Sequence, residues 1–215
     1  MLTGQVVPCV LLPLLGWGWD DWGGWFANPA RLGLTVIIVG GVVAAVLMRV
    51  DVDPLRKGVT TVGCQKAELA ALLAISLGLL WFLPFADQRG IFVLHGEWWR
   101  WVGLAMGGAG ITVRLLALKA LGQWFSAYVT LQPGHRLVRE GIYHWVRHPL
   151  YLSLVIGPAG VALVFRSVLI LPIVALAVGF CVDRIRKEER MLGEEFGAEF
   201  EKYRKVSWRM VPGVL

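Results

Sequence analysis

The stretch HRLVREGIYHWVRHPLY, residues 135–151, is a polar segment that lies between long apolar runs and holds three of the chain's four histidines. The chain then stays almost purely apolar up to residue 182, with one interruption at Arg166-Ser167, before a second polar patch opens at Asp183. Joined in one straight helix, the two apolar arms would be about 48 Å long, which exceeds a hydrocarbon core of ~30 Å. We therefore expect a tight helical hairpin that turns near Arg166-Ser167 and returns both polar patches to one side of a membrane.

The composition is that of an integral membrane protein. Of the 215 residues, 57% are hydrophobic and 17% are charged, and the mean hydropathy is +0.64. A soluble domain carries about 25% charged residues. Cys9, Cys64 and Cys181 are isolated and show no paired spacing, so we expect small buried thiols and neither a disulfide framework nor a metal site. We expect one membrane domain over residues 1–215.

The apolar segments predict an all-α integral membrane protein with about five transmembrane helices. The expected spans are residues 31–48, 67–85, 98–118, 150–165 and 167–182. Residues 6–15 are apolar but short, and Pro8 and Pro13 interrupt them. We interpret them as an interfacial or re-entrant element that leads into a Trp-rich headgroup region, and whether residues 5–19 cross the membrane stays open.

The distribution of Lys and Arg predicts the orientation of the chain. Segments 49–66, 119–149 and 183–215 carry four, four and eight of these residues, sixteen in all, on the same predicted face. The opposite face carries four, namely Arg31, Arg89, Arg100 and Arg166. The positive-inside rule then puts the N-terminus outside and the C-terminus and both polar patches, with Lys57, Arg139 and Lys205, in the cytoplasm. The net charge of +6 is a topology signal here and does not indicate a nucleic-acid partner.

The first polar patch contains His148-Pro149, which predicts a helix start. Proline fixes its own φ and keeps the preceding residue extended, so we expect a helix from about Leu150. His148 and Tyr151 would then lie at a helix N-terminus, where free N–H groups favour a carboxylate. The alternative is a juxtamembrane anchor in which these side chains and Trp145 lie among the headgroups.

The second patch places Arg184 and Glu188 four residues apart, so they share one face of a helix near the end of the last span. An ionisable pair at that depth is a functional-site hypothesis. The alternative is a solvated helix end, which is our interpretation of the more distal charged residues Lys187, Arg190, Glu194 and Glu195.

Taken together, the two patches resemble the isoprenylcysteine carboxyl methyltransferase family. That family has an LV-x-x-G-x-Y segment, then RHP-x-Y and, after a two-span hairpin, EE-x-x-L and FG-x-x-(Y/F)-x-x-Y. The matching residues here are Leu137-Val138, Gly141, Tyr143, Arg147-His148-Pro149, Tyr151, Glu188-Glu189, Leu192, Phe196-Gly197, Phe200 and Tyr203. The resemblance covers roughly the last 95 residues.

The resemblance implies an S-adenosylmethionine-dependent methyltransferase with a cytoplasmic cofactor site. The implied cofactor-binding residues are Gln132, His135, Leu137, Val138, Tyr143, His148, Tyr151 and Glu188, and Arg184 is implied to face the substrate. His148, Tyr151 and the helix N-terminus can hold the cofactor's carboxylate, and Glu188 can pair with its ammonium. Residues 121–215 would form the cofactor-binding region and residues 1–120 the spans on the acceptor side.

The implied acceptor is a lipophilic or lipidated molecule that reaches the site from the bilayer, most simply a carboxylate such as that of a prenylcysteine. A phospholipid amine or a small thiol is the alternative within this class. An amine must lose a proton, and His144 or Glu189 could serve as its base. A non-enzymatic membrane carrier is the alternative outside it, and saturable cofactor binding separates the two.

Overall fold

The computed structural model describes residues 3–48, 60–61 and 65–213, and this part of the chain is mainly helical. Its α-helices are α1 (Thr3–Trp17), α2 (Trp22–Ala27), α3 (Pro29–Leu47), α4 (Gln65–Gln88), α5 (Trp98–Leu121), α6 (Pro149–Val164), α7 (Ile170–Phe196) and α8 (Ala198–Val206). Short 3-10 helices cover Gly122–Trp124 and Gly141–His144. The two-residue strands β1 (Thr60–Thr61) and β2 (Thr130–Leu131) pair antiparallel, with Thr60 opposite Leu131.

Within the described residues, the three helices α3, α4 and α5 are long and apolar enough to cross a membrane. Helix α6 is apolar but has 16 residues, and α7 has 27 residues but becomes charged from Asp183 onward. The predicted helical architecture is therefore confirmed, whereas the count of five spans stays a prediction. The predicted basic loop 49–66, with Lys57 and Cys64, lies mostly outside the described residues.

The predicted hairpin is present. Helix α6 ends at Val164 and α7 begins at Ile170, and Arg166 in the turn has a φ of 50°. The turn is fastened to the α4–α5 connection, because the Val168 N–H donates to the Phe92 carbonyl at 2.9 Å and Val93 bridges to the buried Ser167.

Helices α5 and α6 approach each other closely through glycines. A Cβ atom on Gly160 would lie 2.5 Å from the Gly107 nitrogen and 2.8 Å from the Gly103 carbonyl oxygen. A Cβ atom on Gly103 would lie 2.6 Å from the Gly160 oxygen. Small residues allow such backbone contact between helices in lipid, where van der Waals packing drives association. This contact fixes α6, which carries His148 at its N-terminus.

The N-terminal apolar segment forms α1, which contains Pro8 and Pro13 and packs along α4. The contact is intimate, because a Cβ atom on Gly16 would lie 2.0 Å from the Trp81 carbonyl oxygen. The predicted short element is thus a 15-residue helix that is part of the bundle.

At one end of the bundle the Asp87 carboxylate is completely buried and binds three arginines. Arg100 donates to it at 2.7 and 3.1 Å, Arg166 at 3.0 and 3.2 Å, and Arg31 at 3.4 Å. Arg100 also donates to the Val164 carbonyl at 2.7 Å. The cluster therefore joins the end of α4, the starts of α3 and α5, and the α6–α7 turn. Three of the four arginines that the charge count assigned to one face meet here.

We expect Asp87→Asn to lower the stability strongly, by about 3–5 kcal/mol, because removing one partner of a buried ion pair leaves its counter-charges uncompensated. The measurement is the thermal unfolding midpoint of the detergent-purified protein.

The matched control is Glu97→Gln. Glu97 also binds Arg100 and Arg166, at 2.7 and 2.9 Å, but its side chain is 59% exposed. Its loss should cost at most about 1 kcal/mol, as for other exposed ion pairs. Equal midpoints for the two variants would contradict a special role of the buried carboxylate.

Candidate active site

At the end of the bundle opposite Asp87, a cavity of about 250 Å³ opens between α4, α5, α6 and α7. The connection between α5 and α6 closes it on one side. Five of the predicted site residues line it, namely His135, Tyr143, His148, Tyr151 and Glu188, and so does Arg184. The expectation that Arg184 and Glu188 share one helix face is therefore confirmed. Apolar side chains complete the wall, including Leu69, Leu72, Leu150, Leu154 and Phe180.

A second cavity of about 530 Å³ adjoins the first, because His135 lines both. The predicted residues Leu137 and Val138 line this second cavity together with Phe196. Gln132, which precedes His135 in the same segment, is also buried. It is not among the lining residues of either cavity. The predicted set is thus divided between two adjacent compartments. The second cavity has the size of a small-molecule site, which spans roughly 300–1,000 Å³, and the first is slightly smaller.

His135 stands at the junction of the two cavities. Its ring lies 5.2 Å from that of Trp124 and 6.2 Å from that of Phe196, measured between centroids. Burial lowers the pKa of His135, and the negative charges of Glu188 and Glu195 oppose that change only partly. We conclude that His135 is neutral at physiological pH.

Arg184 is held in the cavity wall with only 4% of its surface exposed. One terminal nitrogen, Nη2, donates to the Ala127 carbonyl oxygen. Its Cζ atom lies 5.4 Å from the centroid of the Phe180 ring. The other terminal nitrogen, Nη1, is buried and has no hydrogen-bond partner among the described residues.

His148 is the N-cap residue of α6, and Pro149 occupies the first helical turn. The helix thus starts at Pro149, as the sequence predicts to within one residue. The ring of His148 lies between two glutamates: Nδ1 is 3.9 Å from Glu188 Oε2, and Nε2 is 3.3 Å from Glu189 Oε1. The Tyr151 ring lies 5.7 Å away, measured between centroids.

The adjacent residues Glu188 and Glu189 differ in their surroundings. The Glu188 side chain is 31% exposed and lines the cavity, whereas that of Glu189 is 10% exposed. Glu189 accepts hydrogen bonds from Arg147 Nε at 3.2 Å and Arg209 Nη2 at 2.8 Å. Burial alone would raise the pKa of Glu189, but the bonds from His148 and Arg209 outweigh it and lower the pKa to about 2.

Tyr143 and the C-terminal helix α8 are joined by a hydrogen bond. The Tyr203 hydroxyl donates to the Tyr143 carbonyl oxygen at 2.5 Å. Burial, together with the negative charge of Glu188, raises the pKa of the Tyr143 hydroxyl well above its usual value. This hydroxyl therefore stays protonated.

A charged residue inside an apolar span lines the cavity but was missing from the predicted site. Arg114 lies within α5, its side chain is accessible and lines the cavity, and within the described part of the chain it makes no hydrogen bond or ion pair. The signal was present in the sequence, since a charged residue inside an apolar span marks a functional site by default. Arg114 and Arg184 give this cavity two guanidinium groups without a carboxylate partner among the described residues, whereas the third lining arginine, Arg147, is paired with Glu189.

The two residues considered as bases for an amine acceptor are not suited to that role. His144 is exposed and lines a separate surface cavity with Lys202 and Val206. Glu189 is already bound by two arginines. The distal charged residues fit the predicted solvated helix end: Arg190, Glu194 and Glu195 are exposed, and Lys187 pairs with Asp183 at 2.6 Å and Glu68 at 3.5 Å.

The fold is that of a helical membrane protein with a cavity at one end of the bundle. A solved structure of the eukaryotic intramembrane Ras methyltransferase ICMT superposes with a TM-score of 0.63, and the match covers 99% of this chain and 75% of that one at 20% identity. A sequence profile of the isoprenylcysteine carboxyl methyltransferase (ICMT) family matches residues 101–194.

Curated relatives agree with that profile. The chain is 31% identical to protein-S-isoprenylcysteine O-methyltransferase B of Arabidopsis thaliana over 155 residues, which cover 66% of this chain and 76% of the relative. It is 31% identical to the protein-S-isoprenylcysteine O-methyltransferase of Dictyostelium discoideum over 121 residues, 53% of this chain and 49% of the relative. The chain thus spans about half the length of the latter. It belongs to the isoprenylcysteine carboxyl methyltransferase family and is an integral membrane protein.

We expect the folded state to lose stability in acid through Glu189. Its pKa in the folded protein, about 2, lies below the ordinary value of 4.5, so ionised Glu189 stabilises the fold above pH 4.5. That contribution is lost as the pH falls from 4.5 towards 2, because the Glu189 carboxylate then binds a proton more readily in the unfolded chain than in the folded protein. Thermal unfolding midpoints between these pH values measure it.

The variant Glu189→Gln should have a lower midpoint at neutral pH but a smaller further loss in acid. Exposed Glu194→Gln is the matched control and should follow the wild type at every pH. Parallel curves for Glu189→Gln and the wild type would contradict the assignment.

Proposed function

We propose that this chain transfers the methyl group of S-adenosylmethionine to the carboxylate of a lipophilic, prenylcysteine-like acceptor. The observation that carries the proposal is a group of buried polar atoms without hydrogen-bond partners. Five such atoms occur in the described part of the chain, and two of them, His135 Nδ1 and Arg184 Nη1, belong to predicted site residues that line the cavity. A third, Gln132 Nε2, belongs to a predicted site residue that lines neither cavity. Buried donors are rarely left unpaired, so a bound ligand is the natural partner.

The side chains present fit this cofactor. The carboxylate of Glu188 lies at the cavity surface and can pair with an ammonium. The N-terminus of α6 has no side-chain cap, so its first N–H groups and Tyr151 are available to a carboxylate. Leu137, Val138 and Phe196 offer apolar contacts for a flat base in the second cavity, which charged side chains also line. When bound, the cofactor supplies a methyl group on a positively charged sulfur.

The acceptor end is supported by the two arginines of the cavity that have no carboxylate partner among the described residues. Arg184 and Arg114 can orient an anionic group, and a carboxylate is already a nucleophile that requires no base. Leu69 and Leu72 of α4 and Phe180 of α7 form an apolar wall suited to a lipid chain. The unpaired guanidinium groups of the lining favour a carboxylate over an amine acceptor.

The chain's organisation follows from this arrangement. We propose that α4 and α5, within residues 1–120, supply the acceptor side and that residues 121–215 supply the cofactor side. We also propose five spans, with the N-terminus outside and the site at the cytoplasmic face, where the acceptor arrives from the bilayer. The meeting of Arg31, Arg100 and Arg166 around Asp87, at the end remote from the site, supports this orientation.

The test of the cofactor site is calorimetric titration of the detergent-purified protein with S-adenosylmethionine and S-adenosylhomocysteine. We expect saturable binding, which a carrier unrelated to methyl transfer would not show. Glu188→Gln should weaken it by about 1.5–3 kcal/mol, the range for hydrogen bonds to charged groups.

Glu194→Gln is the matched control, since Glu194 lies on the same helix but is exposed. Its affinity should equal that of the wild type. An equal loss for the two variants would reduce Glu188 to a solvated charge, and absence of binding to the wild type would remove the proposed function.

For the acceptor, we expect Arg184→Ala to abolish methyl transfer to an S-farnesylcysteine derivative while cofactor affinity stays nearly intact. Arg184→Lys keeps the charge but loses the planar fork that matches a carboxylate, so it should also lose much of the rate. The measurement is transfer of a radiolabelled methyl group. Loss of cofactor binding as severe as in Glu188→Gln would instead assign Arg184 to the cofactor.

A further inference from the structure

The segment around His148 is bound along its length by the C-terminal tail. The Trp208 N–H donates to the Trp145 carbonyl at 2.9 Å. The Arg147 and His148 N–H groups donate in turn to the carbonyls of Trp208 and Arg209, at 2.8 and 3.0 Å. These backbone hydrogen bonds to the tail therefore fix the position of the His148 main chain.

The side chains repeat this connection through Glu189. Arg209 binds both of its carboxylate oxygens, with Nη2 at 2.8 Å from Oε2 and Nε at 3.3 Å from Oε1. Arg147 binds Oε1 from the other side at 3.2 Å, and its own guanidinium donates to the Ser207 hydroxyl and to the Arg204 carbonyl. Glu189 is thus held in one orientation, with Oε1 facing His148 Nε2 at 3.3 Å.

A carboxylate between two guanidinium groups stays ionised and can only accept hydrogen bonds. The nitrogen of His148 that faces it must therefore carry a proton. In a neutral imidazole the other nitrogen then has a free lone pair. That nitrogen, Nδ1, lies 3.9 Å from Glu188 Oε2 on the cavity side.

We propose that Glu189 and Arg209 are positioning residues for His148: they hold its proton on Nε2 and leave Nδ1 as a hydrogen-bond acceptor beside Glu188. Two acceptors 3.9 Å apart can both receive hydrogen bonds from one ammonium group. This last step rests on the proposed function and assigns the cofactor's ammonium to His148 and Glu188 jointly. It departs from the expectation that His148 holds the carboxylate.

The first test reads the tautomer directly and needs no cofactor. The chain has four histidines, so ¹⁵N-histidine labelling gives a small set of ring signals, and His148→Gln identifies that of His148. At pH 8 we expect a proton on Nε2 and a bare Nδ1 in the wild type. A proton on Nδ1, with or without one on Nε2, would overturn the proposal.

The second test uses variants of the positioning residues. Glu189→Leu has no acceptor and Arg209→Gln lacks the fork, so both should give mixed tautomers and bind S-adenosylhomocysteine about tenfold more weakly. Glu189→Gln and Arg209→Lys keep part of the hydrogen bonding and should recover part of the affinity. If Glu189→Leu does not fold, Arg209→Gln still decides the question.

The matched control is Arg204→Gln, because Arg204 forms only an exposed pair with Glu201, at 2.8 Å, through its side chain. It should change neither the tautomer nor the affinity. A purely structural role of the tail would lower the unfolding midpoint of Arg209→Gln but leave the tautomer of the folded protein intact, and that result would refute the proposal. Wild-type protein with the expected tautomer but no affinity for S-adenosylhomocysteine would refute the proposed function alone.

Discussion

The Asp87 carboxylate has no exposed surface, and three guanidinium groups surround it. These groups come from the start of α3, the start of α5 and the α6–α7 turn, and Asp87 itself lies at the end of α4. An uncompensated charge at such a site is costly, so the helix ends must stay together for any of these residues to remain buried. The glycine contact between α5 and α6 continues this constraint along the bundle, because it leaves no room for α6 to slide or rotate. The position of His148 at the far end of α6 depends on both.

The two ends of the molecule differ in how completely their charges are paired. Each of the three arginines that bind Asp87 lies within 3.4 Å of its carboxylate. In the cavity, by contrast, Arg114 has no ion pair within the described residues, and Arg184 keeps a buried nitrogen without a partner. Complete pairing favours stability, so the unpaired guanidinium groups of the cavity fit the proposed ligands, which would complete them. The contrast also explains the adjacent glutamates: Glu189 is saturated by protein groups, whereas Glu188 faces the cavity.

Much of this arrangement could be predicted from the sequence because it depends on local chain geometry. The turn at Arg166-Ser167 follows from the length of the apolar run, and the start of α6 follows from Pro149. The Asp87 cluster could not be predicted, because its partners are 13 to 79 residues away and only the packed bundle brings them together. The difference between Glu188 and Glu189 also escaped prediction. Consecutive residues on a helix point about 100° apart, and which of them faces the tail depends on how that tail folds back.

The charges of the cavity also bear on the proposed methyl transfer. Methyl transfer from a sulfonium to a carboxylate destroys one positive and one negative charge, so an apolar, water-poor wall favours the neutral products over the separated ions. Leu69, Leu72 and Phe180 provide such a wall. The same wall would repel an anionic acceptor if the cavity carried no compensating charge, and Arg114 and Arg184 supply it. Arg184 already donates to a protein carbonyl, that of Ala127. Arg184 and Arg114 can therefore orient the acceptor carboxylate together without either of them pairing with it fully. A single, perfectly paired arginine would hold the acceptor more tightly and leave it a poorer nucleophile.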